Sequence, residues 1–197
     1  GEKTKNGVVS MTPDGQTSIA SIASAAKAQG MAVGVATSVS IDHATPASFY
    51  AHESYRGYYH RIGHDLLEAK FDFYAGSAFL QPTHKDCPNE VPLYQLYENA
   101  GYTITKGLDF NEKKLKKAKR LMMLQSDEAN AFDNTALPYA IDRCETDLTL
   151  ATIVSQGIDF LMHKNKDGFF FAIEGGKIDW ACHANDAAAV IQETLDL

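Results

Sequence analysis

The chain has 197 residues, 45% hydrophobic and 22% charged. That is enough for one domain with a real core, and it excludes a disordered chain. The formal net charge of −7 and the pI near 5.4 argue against a nucleic-acid or anionic-membrane partner, although metals in a cleft would still draw an anionic substrate.

Residues 1–15 read as a loop, with turn signals at Asn6–Gly7 and Pro13–Gly15. Residues 17–28 are rich in Ala and Ile at helical spacing and stop at Gly30, a C-terminal signal. Residues 31–38 (MAVGVATS) form a short buried strand. Pro46 suits the first turn of a helix that runs through Tyr59 or beyond, with His43 or Thr45 just before it. Residues 71–79 are a second strand, 81–90 a polar loop, 93–100 a short helix closed by Gly101, and 102–105 a third strand. The basic run at 111–120 is read as a solvated face before the strand at 121–124. Residues 126–146 have weak periodicity, so 107–145 is expected to be largely an irregular insertion. Residues 148–163 are amphipathic, with Leu150, Ile153, Ile158 and Leu161 near helical spacing. Helix–Gly–strand units of this kind predict an α/β fold with a doubly wound, mostly parallel sheet and helices on both faces, spanning 1–197 as one domain.

No stretch of about 20 apolar residues predicts a membrane span, and no signal peptide is recognisable. The three cysteines, Cys87, Cys144 and Cys182, cannot all pair within the chain, and none forms a CxxC motif. Cys182 is read as a small packing residue. His52 is read as a core or supporting histidine, and His60, His64, His84 and His163 as surface residues.

The most informative run is GFFFAIEGGKIDWACHANDAAA, residues 168–189. It reads as a strand covered on both faces, ending at Glu174, then a tight turn that Gly175 and Gly176 permit, then a helix. Asp179 and His183 are four apart, which stacks them on one helical face. A carboxylate at the strand end and this pair would converge on the carboxyl edge of the sheet, where open α/β folds bind ligands. Imidazole with carboxylate suits zinc, and carboxylate with hydroxyl suits magnesium. The plainer alternative is a surface pair on a helix.

The string EGGxIDxxxHxND in this run closely resembles the alkaline phosphatase family. The segment DHATPASFYAHESYR, residues 42–56, is similar to that family's (H/D)-A-T-P-A followed by AHxxxR. GEKTKNG at 1–7, LPYAIDR at 137–143 and NDAAAVIQET at 185–194 resemble further family stretches in the right order, so the resemblance spans essentially the whole chain. It implies a phosphomonoesterase with two Zn2+ and one Mg2+, working through a phosphoserine intermediate. Carried over by position, Glu174 and Thr45 match magnesium ligands, and Asp179 and His183 match ligands of one zinc. His43 matches a position behind the magnesium, and Arg56 matches the arginine that grips phosphate. The plainer alternatives are a helix N-cap for Thr45 and a surface residue for Arg56. Trp180 falls at a position variable in the family, where it either tunes access or merely packs.

The family's nucleophile lies in a D-S-A motif upstream of the stretch matched by 1–7, and neither DSA nor DSS occurs in these residues. The remaining zinc ligands, a D-H pair and a final histidine, would lie after Leu197. The chain therefore reads as the central portion of such a phosphatase, inactive by itself. Its whole protein is expected to act on phosphate monoesters, release inorganic phosphate, form homodimers, and be periplasmic or secreted. Three alternatives stay open: a non-catalytic metal- or phosphate-binding module, a phosphodiesterase- or sulfatase-type hydrolase of the same superfamily, and a purely structural or interaction domain that keeps the motifs as relics.

Overall fold

The computed structural model describes residues 1–87, 89–165 and 167–197, with only the backbone of Glu112. Pro88, in the loop expected at 81–90, lies outside the described residues.

Five parallel strands form one sheet in the order β3-β4-β2-β1-β5. They are β1 (Ala32–Thr37), β2 (Phe73–Gly76), β3 (Tyr102–Lys106), β4 (Arg120–Leu124) and β5 (Phe169–Glu174). Helices α1 (Ile22–Ala28), α3 (Tyr59–Ala69) and α4 (Leu93–Asn99) cover one face, with the short α2 (Ala44–Ala47). The long α7 (Leu150–Lys164) covers the other, with the short α5 (Glu112–Leu115). The strands alternate accordingly. Val33, Val35 and Tyr74 face the first layer, and Ala32, Ala36, Phe73 and Ala75 face the second. This is the expected doubly wound α/β architecture. The stretch 107–145 contributes β4, which lies between β3 and β2, and α6 (Asp127–Phe132) among turns.

The helix starts are chemically marked. Ser21, Ser126, Thr149 and Asp186 each accept a backbone N–H two or three residues into α1, α6, α7 and α9 (Ala187–Asp196). Gly30 ends α1 with φ +81°, a conformation that side chains with a Cβ resist. The first core layer holds four buried tyrosines. Tyr50, Tyr74, Tyr97 and Tyr102 each donate their hydroxyl to a backbone carbonyl, of Ile41, Leu66, Gly63 and Phe71 respectively. Each hydroxyl is satisfied, so burying it avoids the desolvation penalty of an orphan.

Two elements differ from expectation. The helix at Pro46 is a single turn, and residues 48–58 are turns before α3 begins at Tyr59. The N-terminal arm takes the backbone groups a longer helix would use. Val9 and Glu53 exchange two backbone hydrogen bonds, and Arg56 N donates to Gly7 O. The second is β5, which is only half-buried, with Ile173 exposed. Both its faces are apolar, Phe170 and Ala172 toward one layer and Phe169 and Phe171 toward the other. It stands at the edge of the sheet, however, so neither face is fully covered.

Candidate functional site

The carboxyl ends of β1 and β5 form the centre of the site. Parallel register sets Thr37 opposite Glu174. The fully buried Thr37 Oγ1 donates to Glu174 Oε2 at 2.6 Å and accepts from Val39 N at 3.1 Å. One hydroxyl thereby aims the carboxylate and closes the turn after β1. Thr37 was not singled out from the sequence; pairing the ends of the two predicted strands would have found it.

After Glu174 the chain turns at Gly175 into α8 (Gly176–His183). Neither glycine has a positive φ, so left-handed backbone is not why they are there. At Gly176 the reason is close approach: a Cβ would lie 2.8 Å from Val39 Cγ1 and 3.2 Å from Glu174 Cδ.

His43 is the N-cap residue of α2, but its side chain makes no capping bond. Thr45 lies within the first turn of α2 rather than at the cap, and its side chain is exposed. Thr45 and Glu174 line the same cleft, of about 440 Å³, floored by Phe49 and Ala172. The rest of its lining is apolar, so Thr45 and Glu174 supply its hard oxygen donors, the kind magnesium takes.

His43 links this cleft to Arg56. Arg56 Nη2 donates to His43 Nε2 at 3.2 Å. A guanidinium cannot accept, so in the neutral ring the proton sits on Nδ1, which is buried and has no partner among the described residues. Burial holds the imidazole below its ordinary pKa; Glu174 and Asp179 oppose this and Arg56 adds to it. The His43 ring meets Trp180 edge to face at 5.8 Å, so Trp180 packs against the residue behind the cleft. Arg56 itself sits in a turn outside any helix, half-buried.

Asp179 and His183 share one face of α8, with His183 Nε2 3.6 Å from Asp179 Oδ1. Their side chains are 73% and 82% exposed, so the pair stands open to solvent with most of its coordination directions free. Among the described residues, no hydrogen bond or ion pair joins this pair to Glu174, Thr45 or Arg56. Thus Thr45 and Glu174 line one cleft, His43 bonds Arg56, and Asp179 and His183 stand together on α8.

The resembling stretch at 137–143 has a packing role. Lys177 Nζ, buried, donates to Leu137 O at 2.7 Å and lies 3.4 Å from the Tyr139 ring centroid. Burial lowers its pKa, against the pull of Glu193 and two aspartates. Ala140 N donates to Glu193 Oε1 at 2.6 Å, and Arg143 grips Asp196 through both its terminal nitrogens. These bonds dock α8 and α9 on the stretch. Lys177 was also missed from the sequence, where a lysine after two glycines reads as solvated.

Other placements correct the sequence reading. Cys182 is exposed and not a packing residue, and all three cysteines are free. His60 is buried, and His64 and His84 are half-buried, so only His163 of the four is a surface residue. His52 is half-buried, with Nδ1 at 2.9 Å from Ser10 O.

A family model for "Alkaline phosphatase" matches residues 1–73 and 99–197. Among curated relatives, "Alkaline phosphatase 3" of Bacillus subtilis (strain 168) is 31% identical over all of this chain and 40% of its own length. The human "Alkaline phosphatase, tissue-nonspecific isozyme" is 27% identical over 91% of this chain and 40% of its own. The chain thus spans about two fifths of the length of these relatives. Among solved structures, alkaline phosphatase from the Antarctic bacterium TAB5 superposes with a TM-score of 0.84 and 29% identity, over 98% of this chain and 53% of that one. A mutant of that enzyme, described with Mg bound in the M3 site, has the same TM-score over 52% of its length. The matched residues include all of β1, α2, β5 and α8, the elements that build the site, and the chain belongs to the alkaline phosphatase family.

Proposed function

We propose that this chain carries the magnesium site, the phosphate clamp and half of one zinc site of a phosphate monoester hydrolase. The observation that carries the reading is Thr45 and Glu174 lining one cleft, with the His43–Arg56 hydrogen bond beside it. Magnesium would be held by Glu174 and Thr45, and zinc by Asp179 and His183 with ligands from outside these residues. The residues fit such ions: Thr45 and Glu174 bring hard oxygens to the lining of one cleft, and the exposed imidazole–carboxylate pair keeps open directions. Bound there, the cations would supply Lewis-acid polarisation of the phosphoryl oxygens.

The chain's own groups divide the remaining work. Arg56 presents parallel N–H donors to two phosphate oxygens, where transition-state charge gathers. His43 Nε2 accepts one Arg56 N–H, limiting the rotamers the guanidinium can adopt. Thr37 orients Glu174. Relatives bearing the alkaline phosphatase name support a serine nucleophile and a second zinc site in the whole protein, neither supplied by these residues. The same likeness supports homodimers that are periplasmic or secreted, and a single partial domain, to which 107–145 gives the inner strand β4 as well as turns.

The test is turnover by the whole protein of p-nitrophenyl phosphate against bis(p-nitrophenyl) phosphate. The monoester is expected to be strongly preferred. Arg56→Ala is expected to lower kcat/KM by about 100-fold, on the scale of one lost charge-stabilising donor. Equal turnover of the diester, or an unaffected Arg56→Ala enzyme, would overturn the reading.

A further inference from the structure

The segment 74–98 lies outside the residues matched to the family, and it brings metal-ligating side chains against a pair of histidines on α3. His60 and His64 are four apart on that helix, so both imidazoles point from one face. Their ring centroids are 4.8 Å apart. Nε2 of each is shielded from solvent and makes no hydrogen bond among the described residues. The loop opposite is folded back on itself, with Leu93 N donating to Pro82 O at 2.9 Å. Within it, Glu90 N donates to Cys87 O at 3.0 Å, and the Glu90 carboxylate and Cys87 thiol lie within 4.8 Å of each other. Glu90 Oε1 reaches to 3.3 Å from His64 Nε2, but off the line a hydrogen bond needs. Ligand atoms of His60, His64 and Glu90 all lie within 4.8 Å of one another, as do those of His84, Cys87 and Glu90. Glu90 is common to both sets.

Unpartnered buried imidazole nitrogens cost free energy unless something satisfies them. A proton on each would not serve, because two imidazolium rings this close repel. Burial and the neighbouring His64 both hold His60 below its ordinary pKa, with Glu90 opposing. A neutral imidazole is the form that binds a metal. His84 is the weaker candidate. Its Nδ1 accepts from Asp86 N at 3.2 Å, and its ring meets His60 edge to face at 5.0 Å.

We propose that His60, His64, Glu90 and Cys87 form a structural zinc site that pins the 82–93 loop onto α3. Two imidazoles, a carboxylate and a thiolate are a ligand set zinc takes tetrahedrally. Zn–N near 2.0 Å and Zn–S near 2.3 Å put neighbouring ligand atoms about 3.3–3.6 Å apart, a contraction from the 4.8 Å within which His60, His64 and Glu90 gather; Cys87 enters the set through Glu90, its neighbour within that same distance. This zinc is separate from the phosphatase reading, since none of its ligands belongs to the cleft at Glu174.

The test uses the full chain carrying Asp179→Ala and His183→Ala, so that the proposed catalytic ligands do not contribute. Cobalt(II), which reports its ligands by colour, is titrated in. One equivalent is expected to bind with a thiolate-to-cobalt band in the near ultraviolet. Cys87→Ser should abolish that band. His64→Ala and Glu90→Gln should each weaken binding by about 100-fold, at least what loss of a supporting residue costs a metal site. Both altered side chains are partly exposed, so the fold is retained, and circular dichroism checks it. No band at micromolar cobalt, a band that survives Cys87→Ser, or affinity unchanged by His64→Ala and Glu90→Gln would each overturn the assignment. Failure here would leave the phosphatase reading standing, and the reverse holds too.

Discussion

Asp42 is fully buried between β1 and α2, where burial pushes its pKa up to about 7 against the Leu80 N–H that donates to it. Oδ1 has no partner, as suits a protonated carboxyl. An unfolded chain releases this proton near pH 3.8 and the folded one near 7. Asp42's contribution to stability is therefore full below the lower value and lost as pH rises toward the upper one. The slope is at most about 1.4 kcal/mol per pH unit. Asp42→Asn, which keeps an acceptor for Leu80 N–H, should gain on the native chain by a few kcal/mol between about pH 4 and 7 and then run level. Urea unfolding at several pH values measures this, and parallel curves would sink it. Nothing in the string DHATPA marks Asp42 as buried, because the burial comes from the distant Leu80 loop. Arg56 shows the same limit. Its motif pointed to it, but its position rests on Gly7, forty-nine residues earlier by number, through a backbone bond no local pattern reveals.

Among the elements, α7 shows what periodicity can and cannot reveal. Leu150, Ile153 and Leu161 are buried as their spacing predicts. The spacing also named Ile158, but Gly157 and Phe160 take the sheet-facing positions instead. Gly157 is where the helix comes closest to the strands. A Cβ there would lie 2.7 Å from Phe171 Cζ and 3.0 Å from Phe73 Cε1. Gly34 on β1 is crowded in the same way, by Leu161 and Phe171. Gly157→Ala would gain roughly 1 kcal/mol of helix propensity. It would lose about 1–3 kcal/mol to overpacking between two rings with little room to move. A net loss on the order of 1 kcal/mol is expected in thermal or urea unfolding, and a more stable variant would show that the rings give way. The strands themselves were legible because short apolar runs between turn residues are what a covered parallel sheet requires. The half-burial of β5 was not, since strand order is a property of the assembled sheet.

At the scale of the whole molecule, β5 leaves an apolar margin. Ile173, Leu195 and Leu197 are exposed, and Ile173 and Leu197 line a groove against α7. An unpaired edge strand with apolar side chains invites pairing with another chain. The 197-residue chain is expected to self-associate with rising concentration, and Ile173→Lys to reduce this, by sedimentation velocity. A concentration-independent monomer in both would contradict it. Phosphate ester turnover by these residues alone should be undetectable, since no nucleophile motif is among them; zinc-dependent turnover abolished by Asp179→Ala would refute this. The buried amine of Lys177 has a further use. Its nitrogen is engaged by Leu137 and Tyr139, so acylating reagents should reach it only when α8 lifts off that stretch. The rate at which mass spectrometry finds Lys177 acetylated, relative to the exposed Lys113, would then serve as a clock for opening of the sheet's carboxyl edge.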